Sequence, residues 1–169
     1  MNPLIIVVII VIVLIVWFVT SGPKKGRYVI LERVADSKQP TGDGNTLSIG
    51  EIVVYDPAGK NITKQAKATM STAYGGSYGV IGNAVDGNIN TVSHTASNVT
   101  NFANIWLNLD FGSDVEIGRV EVYNRQDAVP DRINGIRLRV KNDAGADVYV
   151  APTIAHENGK TPLKFEYKL

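Results

Sequence analysis

Residues Gly118 to Val140, GRVEVYNRQDAVPDRINGIRLRV, decide the fold. In the first half Val120 and Val122 alternate with Arg119, Glu121 and Tyr123. In the second half Ile136, Leu138 and Val140 alternate with Arg137, Arg139 and Lys141. A period of two marks strands with one buried and one wet face. The stretch is therefore expected to form a hairpin-like pair of strands. The loop between them concentrates Arg125, Asp127, Asp131 and Arg132, and loops held by a rigid sheet are where binding groups usually sit.

The same alternation recurs on either side. Tyr28–Val34, Leu47–Tyr55, Asp147–Val150 and Leu163–Lys168 read as strands. Ile105–Phe111 does so too, with Ile105, Leu107, Leu109 and Phe111 inward and Trp106, Asn108 and Asp110 outward. Ala66–Ala73 is weakly extended. Asp36–Thr46 has the Gly, Pro, Asp and Asn of a loop, and Tyr74–Gly82 is too rich in glycine for a regular element. Asn83–Asn88 is expected to be a tight turn, with one helical turn before it. No stretch with helical period occurs downstream of the N-terminal run. Many short strands with turn-rich connections predict an all-β antiparallel β-sandwich of the jelly-roll kind.

The N-terminal run is different. Leu4 to Val19 are sixteen consecutive apolar residues. With Pro3 and Thr20 they would span roughly 27 Å as a helix, close to the hydrocarbon thickness of a bilayer. Trp17 stands near the downstream end, where aromatic rings favour the interface. No Lys or Arg precedes the run and no small-residue cleavage site follows it, so an uncleaved anchor is expected rather than a signal peptide. The chain then divides into a transmembrane helix over 1–21, a linker over 22–26 and the sandwich over 27–169. Lys24, Lys25 and Arg27 flank the anchor downstream and place the domain on the cytoplasmic side of the membrane. Two glycosylation sequons, at Asn61 and Asn98, argue the other way.

Seventeen Lys and Arg against sixteen Asp and Glu leave a formal charge of +1. That balance gives no basic surface for nucleic acid. The absence of cysteine excludes disulfides, thiolate catalysis and Cys-based zinc sites. No phosphate-binding glycine loop, HExxH or GxSxG motif is present, and an enzyme is not expected.

Two groups of residues carry possible chemistry. Asn83-Ala84-Val85-Asp86-Gly87-Asn88 gathers a carboxylate and two amides around a glycine. A hard cation such as calcium takes six to eight such oxygens, and the same spacing serves an Asp-Gly turn that caps its own backbone. Arg125, Asp127 and Arg132, with His94, can hold a polar ligand through guanidinium forks that bond paired hydroxyls or a carboxylate. They can equally form a surface salt-bridge cluster. Tyr74, Tyr78, Trp106 and Tyr123 are expected to be packing and sandwich-edge residues rather than a sugar-stacking platform.

Several motifs in order resemble the galactose-binding-like (discoidin) superfamily, and within it the F-type lectins. They are Tyr74-Gly75-Gly76, NAVDGNINT from Asn83, WLNLDFG from Trp106, EIGRVEVYNRQD from Glu116, and Arg132-Ile133-Asn134-Gly135. In that family a His and two Arg hold fucose, the Arg pair spaced R-x-D-x4-R/K. The resemblance implies sugar-binding roles for His94, Arg125, Asp127 and Arg132. The family's adjacent cysteine pair, which packs on the sugar, is replaced here by Ala128 and Val129. The resemblance also implies a structural calcium on Asn83, Asp86 and Asn88, closed by a late Glu, which Glu166 would supply.

The opening RYVILERV and LSIGEIVVYDPAGKNI, on a short anchor from Leu4 to Val19, resembles virion proteins of large DNA viruses of the chlorella-virus type. That implies a minor capsid component linking an internal membrane to the outer shell through capsid-protein contacts. The expectation is thus a membrane-anchored structural protein of this kind, with a membrane-tethered, calcium-dependent fucose lectin as the alternative.

Overall fold

A computed structural model describes residues 23–35, 45–97, 99, 101–155 and 162–169. The anchor expected over 1–21, with Leu4, Trp17 and Val19, lies outside the described residues. Among those described, no helix is long and apolar enough to cross a membrane.

Among the described residues, nine strands form two antiparallel sheets. In chain order they are β1 (Lys24–Arg33), β2 (Ser48–Tyr55), β3 (Lys67–Met70), β4 (Ser93–His94), β5 (Trp106–Ile117), β6 (Arg119–Asn124), β7 (Ile136–Lys141), β8 (Asp147–Val150) and β9 (Lys164–Lys168). One sheet has the order β3-β5-β1-β7-β8 and the other β4-β2-β6-β9. Val29, Leu31, Leu107, Leu109, Leu138 and Val140 from the first sheet meet Ile52, Val54, Val120 and Val122 from the second in one core cluster. All ten are fully buried. At about 1.5–3 kcal/mol for each large aliphatic side chain removed from water, this shared face is what holds the two layers together.

The deciding stretch folds as two strands, but not as a hairpin. β6 pairs with β2, Val122 opposite Ile52, and with β9. β7 pairs with β1, Leu138 opposite Leu31, and with β8. Alternation settles which face of a strand is buried, not which strand lies beside it. The loop from Arg125 to Gly135 therefore crosses from one sheet to the other and closes one end of the sandwich. The outer face of β6 is also drier than its pattern predicts. Glu121 is buried, held by the Tyr55 and Tyr123 hydroxyls and the Lys164 ammonium.

β1 begins at Lys24, inside the expected linker, and β5 runs on to Ile117, beyond the expected end at Phe111. The two additions are one feature, because Lys24, Lys25 and Gly26 pair with Ile117, Glu116 and Val115. Polar residues on that exposed extension hide its alternation. β1 thus spans the sandwich from end to end, with Lys24 opposite Ile117 at one pole and Arg33 opposite Ile136 at the other. The chain enters at the pole away from the crossing loop.

Candidate functional site

Three segments bring His94, Arg125 and Arg132 together at the crossing-loop pole. β4 is a two-residue edge strand that places His94 opposite Ser48 of β2. Arg125 follows the last residue of β6, and Arg132 sits in a 3-10 turn over Pro130–Ile133. Arg132 Nη1 lies 2.8 Å from His94 Nε2. His94 Nδ1 faces the Thr95 carbonyl, which can only accept. The proton therefore belongs on Nδ1, and Nε2 accepts from Arg132. Burial pushes the His94 pKa down, with Arg132 and Arg125 adding to it, so the ring is held neutral.

Arg125 is only 7% exposed. Its Nε and Nη2 donate to the two carboxylate oxygens of Asp127, both at 2.7 Å, and Nη1 donates to Ser48 Oγ at 2.9 Å. This forked pair holds the Asp127 carboxyl down at about 2. The four residues singled out in the sequence are thus one cluster, with Ser48 as an unanticipated member.

Tyr74 and Tyr78, expected as packing and sandwich-edge residues, are exposed at the rim of this cluster. The Tyr74 ring lies 4.8 Å from that of His94, and the Arg125 guanidinium sits 5.9 Å from the Tyr78 ring. Two 3-10 turns shape this segment: Gly76–Gly79 falls where an irregular loop is expected, and Ile81–Val85 is the helical turn expected at the entry to Asn83–Asn88. Gly79 is required there, since a Cβ would fall 1.7 Å from the Tyr74 carbonyl oxygen. Trp106 and Tyr123 belong to other faces: Trp106 pairs with Glu32, and the Tyr123 hydroxyl donates to Glu121.

Beneath the cluster lies Arg33, which sequence reasoning passed over. It is 2% exposed and donates to the carbonyls of Thr46, Ala35, Asn134 and Arg132. One guanidinium thus ties the Arg132 turn to the segment entering β2. The signal was present in phase: Arg33 follows Val29 and Leu31 on the inward face of β1, where a cation needs a cage of acceptors.

The Asn83–Asn88 turn lies beside β2. Oxygens of Asn83 (carbonyl, 3.3 Å), Asp86 (carboxylate, 2.9 Å) and Asn88 (carbonyl, 2.7 Å) all converge on the Thr91 hydroxyl. One hydroxyl has one proton for three acceptors. Asp86 also caps the Asn88 N–H at 2.7 Å, so the turn-capping reading of this motif holds as well. Glu51 of β2 faces the same turn, its Oε1 accepting from the Gly87 N–H at 3.2 Å. Burial, with the neighbouring Asp86, pushes its carboxyl up to about 7. Glu51 is 3% exposed, and its Oε2 has no hydrogen-bond partner. These oxygens fit a hard cation. No group of three or more His, Cys, Asp or Glu able to hold a metal occurs among the described residues; the oxygens here are two carboxylates, two backbone carbonyls and a hydroxyl.

Glu166 is not brought to this turn. It lies on β9 opposite Glu121, with Lys164, Arg119 and Lys168 at 3.4, 3.9 and 3.9 Å. The expectation that it closes the cation site is corrected by its register, two strands away from β2.

The family model of the NedA-like, galactose-binding domain matches residues 83–167, half of the chain, from the Asn83 turn into the last strand. The chain belongs to this family. Among curated proteins, Fucolectin-1 of Anguilla japonica is similar to this galactose-binding-like chain, 35% identical over 88 residues that make up 49% of each protein. The chain thus spans about half the length of the curated relative it matches. No solved structure matches. The family model covers His94, Arg125, Asp127 and Arg132, and neither match speaks for a capsid protein.

Proposed function

We propose that this domain binds glycans of the fucose class at the His94–Arg125–Arg132 pole. The observation that carries the reading is the convergence of two guanidiniums and a neutral imidazole beside two exposed tyrosine rings. Forked guanidinium N–H groups suit pairs of vicinal hydroxyls, and the pairing with Asp127 fixes the aim of the buried Arg125 in advance. A 6-deoxyhexose also has an apolar face, which the Tyr78 and Tyr74 rings can cover. Similarity to a protein named for fucose supports the sugar class.

In this reading Leu4–Val19 supplies a membrane tether. Since β1 enters at the far pole, the tether would present the binding pole outward. A structural cation on the Asn83–Asn88 turn belongs to the same reading. The alternative, a virion link between membrane and shell, rests on sequence resemblance at the opening of the chain alone.

The test is a calorimetric titration of the full chain in detergent with L-fucose, D-galactose and D-glucose, alongside Arg125→Ala. Saturable fucose binding that is lost in the variant is the expected result. A chain that binds none of the three sugars overturns the reading. The side of the membrane is read separately by glycan mapping. Asn61 is exposed, with the Thr63 hydroxyl held against the Val54 N–H at 2.8 Å. An occupied Asn61 would place the domain on the lumenal side, against the charge rule.

A further inference from the structure

We propose a second saccharide site, for sugars that carry a carboxylate (hexuronates), in a groove on the outer face of the five-stranded sheet. Trp106 is its platform, Asn108 its hydroxyl-binding group and Lys141 its counter-charge. The groove shares no residue with the His94–Arg125–Arg132 pole and stands without the fucose reading.

The groove has a volume of about 340 Å³ and lies across β5, β1 and β7. Register fixes its plan. Trp106 stands opposite Glu32, and Asn108 opposite Ile30. Ile30 in turn stands opposite Arg139, and Lys141 lies one row further on, opposite Tyr28. The intervening Leu31, Leu107, Leu138 and Val140 are fully buried, so the residues that alternate with them face outward. Trp106 and Ile30 are half-buried yet lie outside the core cluster. With Phe102 and Ala103 they make an apolar floor on the wet side of the sheet. Neighbouring strands lie about 4.8 Å apart, so a groove over three of them has the width for two linked pyranose rings.

The polar groups around this floor differ in how far they are satisfied. Glu32 is held by Arg137 at 2.7 Å, and Arg139 donates to both carboxylate oxygens of Asp147 at 2.5 and 2.6 Å. Asn108 Oδ1, by contrast, is buried with no hydrogen-bond partner, and an orphaned acceptor calls for a donor. The Lys141 ammonium bonds only the Gly145 carbonyl, at 3.3 Å, and no carboxylate among the described residues lies within ion-pair distance of it. An aromatic face, an acceptor without its donor and one open cation describe the ligand by complement. It has an apolar ring face, hydroxyls at the ring edge and a single carboxylate, and a hexuronate has all three. A nucleotide shares the flat ring, but its phosphate needs more than one open cation, and the Arg139 guanidinium is already taken.

The experiment uses the full chain in detergent with Trp17→Phe, which leaves Trp106 as the one tryptophan, and reads its fluorescence. Digalacturonate is the probe, with neutral galactobiose, L-fucose and adenosine monophosphate for comparison. Digalacturonate should shift the Trp106 emission saturably. Galactobiose should bind about ten-fold more weakly, the scale of one charge-assisted hydrogen bond, and L-fucose should leave this emission unchanged. Lys141→Met should remove the preference for the acid, and Asn108→Ala should weaken both disaccharides. Both side chains stand on the wet side of the sheet, so the melting temperature should stay near that of the unmodified chain. Arg125→Ala, which disables the pole, should leave the digalacturonate titration as it was. No response to digalacturonate, or an equal affinity for galactobiose, overturns the acidic-sugar site. Tighter binding of adenosine monophosphate than of digalacturonate overturns the saccharide class. A titration lost in Arg125→Ala places the ligand at the pole and overturns the groove.

Discussion

Arg132 Nη1 donates to His94 Nε2 across 2.8 Å, joining residues 38 apart in sequence. One lies on the edge strand of the four-stranded sheet and the other on the loop that crosses between sheets. The bond exists only while the imidazole is neutral, because a protonated Nε2 has no lone pair to offer.

That gives a pH dependence with a definite sign. The folded chain holds the His94 pKa below its ordinary 6.5, so the unfolded chain takes up the proton first. Above pH 6.5 the neutral ring adds no penalty. As pH falls through 6.5, the unfolded state binds more protons and folding is progressively penalised until the folded ring titrates as well. The His94 contribution to the melting temperature should drop between pH 7.5 and 5, with fucose affinity falling in step, while Glu51, whose carboxyl is pushed up to about 7, works the other way in the same window. His94→Gln should flatten this part of the stability profile. An unchanged profile in that variant would remove His94 as its source.

Asp127 acts at lower pH. Its carboxyl is held at about 2, chiefly by the Arg125 hydrogen bonds, so its contribution is present above about pH 4 and is lost as pH falls toward 2. The Asp127 side chain is 41% exposed, and solvent screening discounts the pairing to roughly 1 kcal/mol. Asp127→Asn should lower the melting temperature by about 2–4 °C at pH 7. It should weaken fucose binding more than it weakens the fold, because Arg125 loses the fork that aims it. A variant with normal affinity would show that Ser48 alone orients Arg125.

The period-two pattern made most of this sandwich legible. Buried runs such as Val120–Val122 and Ile136–Leu138–Val140 stand where alternation puts them. Partner choice was not legible, since register and topology come from contacts between distant strands, and so the apparent hairpin divides between sheets. His94, Arg125, Asp127 and Arg132 were readable because their spacing resembles a known pattern. Tyr78, Ser48 and Glu51 were not, because each acts through a neighbour far away in the chain. Glu166 shows the converse: a residue of the right type late in the sequence lies on a strand facing Arg119 and Lys164, not on the Asn83 turn.

Arg33 should prove the most sensitive residue at this pole. Its guanidinium satisfies carbonyls from four residues, with the bonds to Thr46 and Asn134 fully buried. Arg33→Met removes this donor from all four carbonyls, two of them in fully buried bonds, which should cost about 3–5 kcal/mol. Arg33→Lys restores the charge but not the planar fork, and should recover only part of the loss. Denaturant unfolding of the two variants measures both. Equal stability of Arg33→Lys and the unmodified chain would mean that charge, not the fork, holds the turn.

Val129 has φ 48, the only positive φ outside glycine among the described residues. It is β-branched and precedes Pro130, and both features disfavour that conformation. The left-handed geometry costs roughly 1–2 kcal/mol for an ordinary residue, and glycine avoids it at a backbone-entropy cost of about 0.5–1 kcal/mol. Val129→Gly should therefore stabilise the fold by up to about 1 kcal/mol. The strained residue caps the turn that aims Arg132, with Arg132 N–H donating to the Val129 carbonyl at 3.2 Å. Freeing it should loosen that aim, so fucose affinity should fall several-fold while the melting temperature rises. Strain kept beside a binding group in this way trades stability for preorganisation. A variant that loses stability, or gains it with affinity intact, would show that Val129 serves packing and not the aim of Arg132.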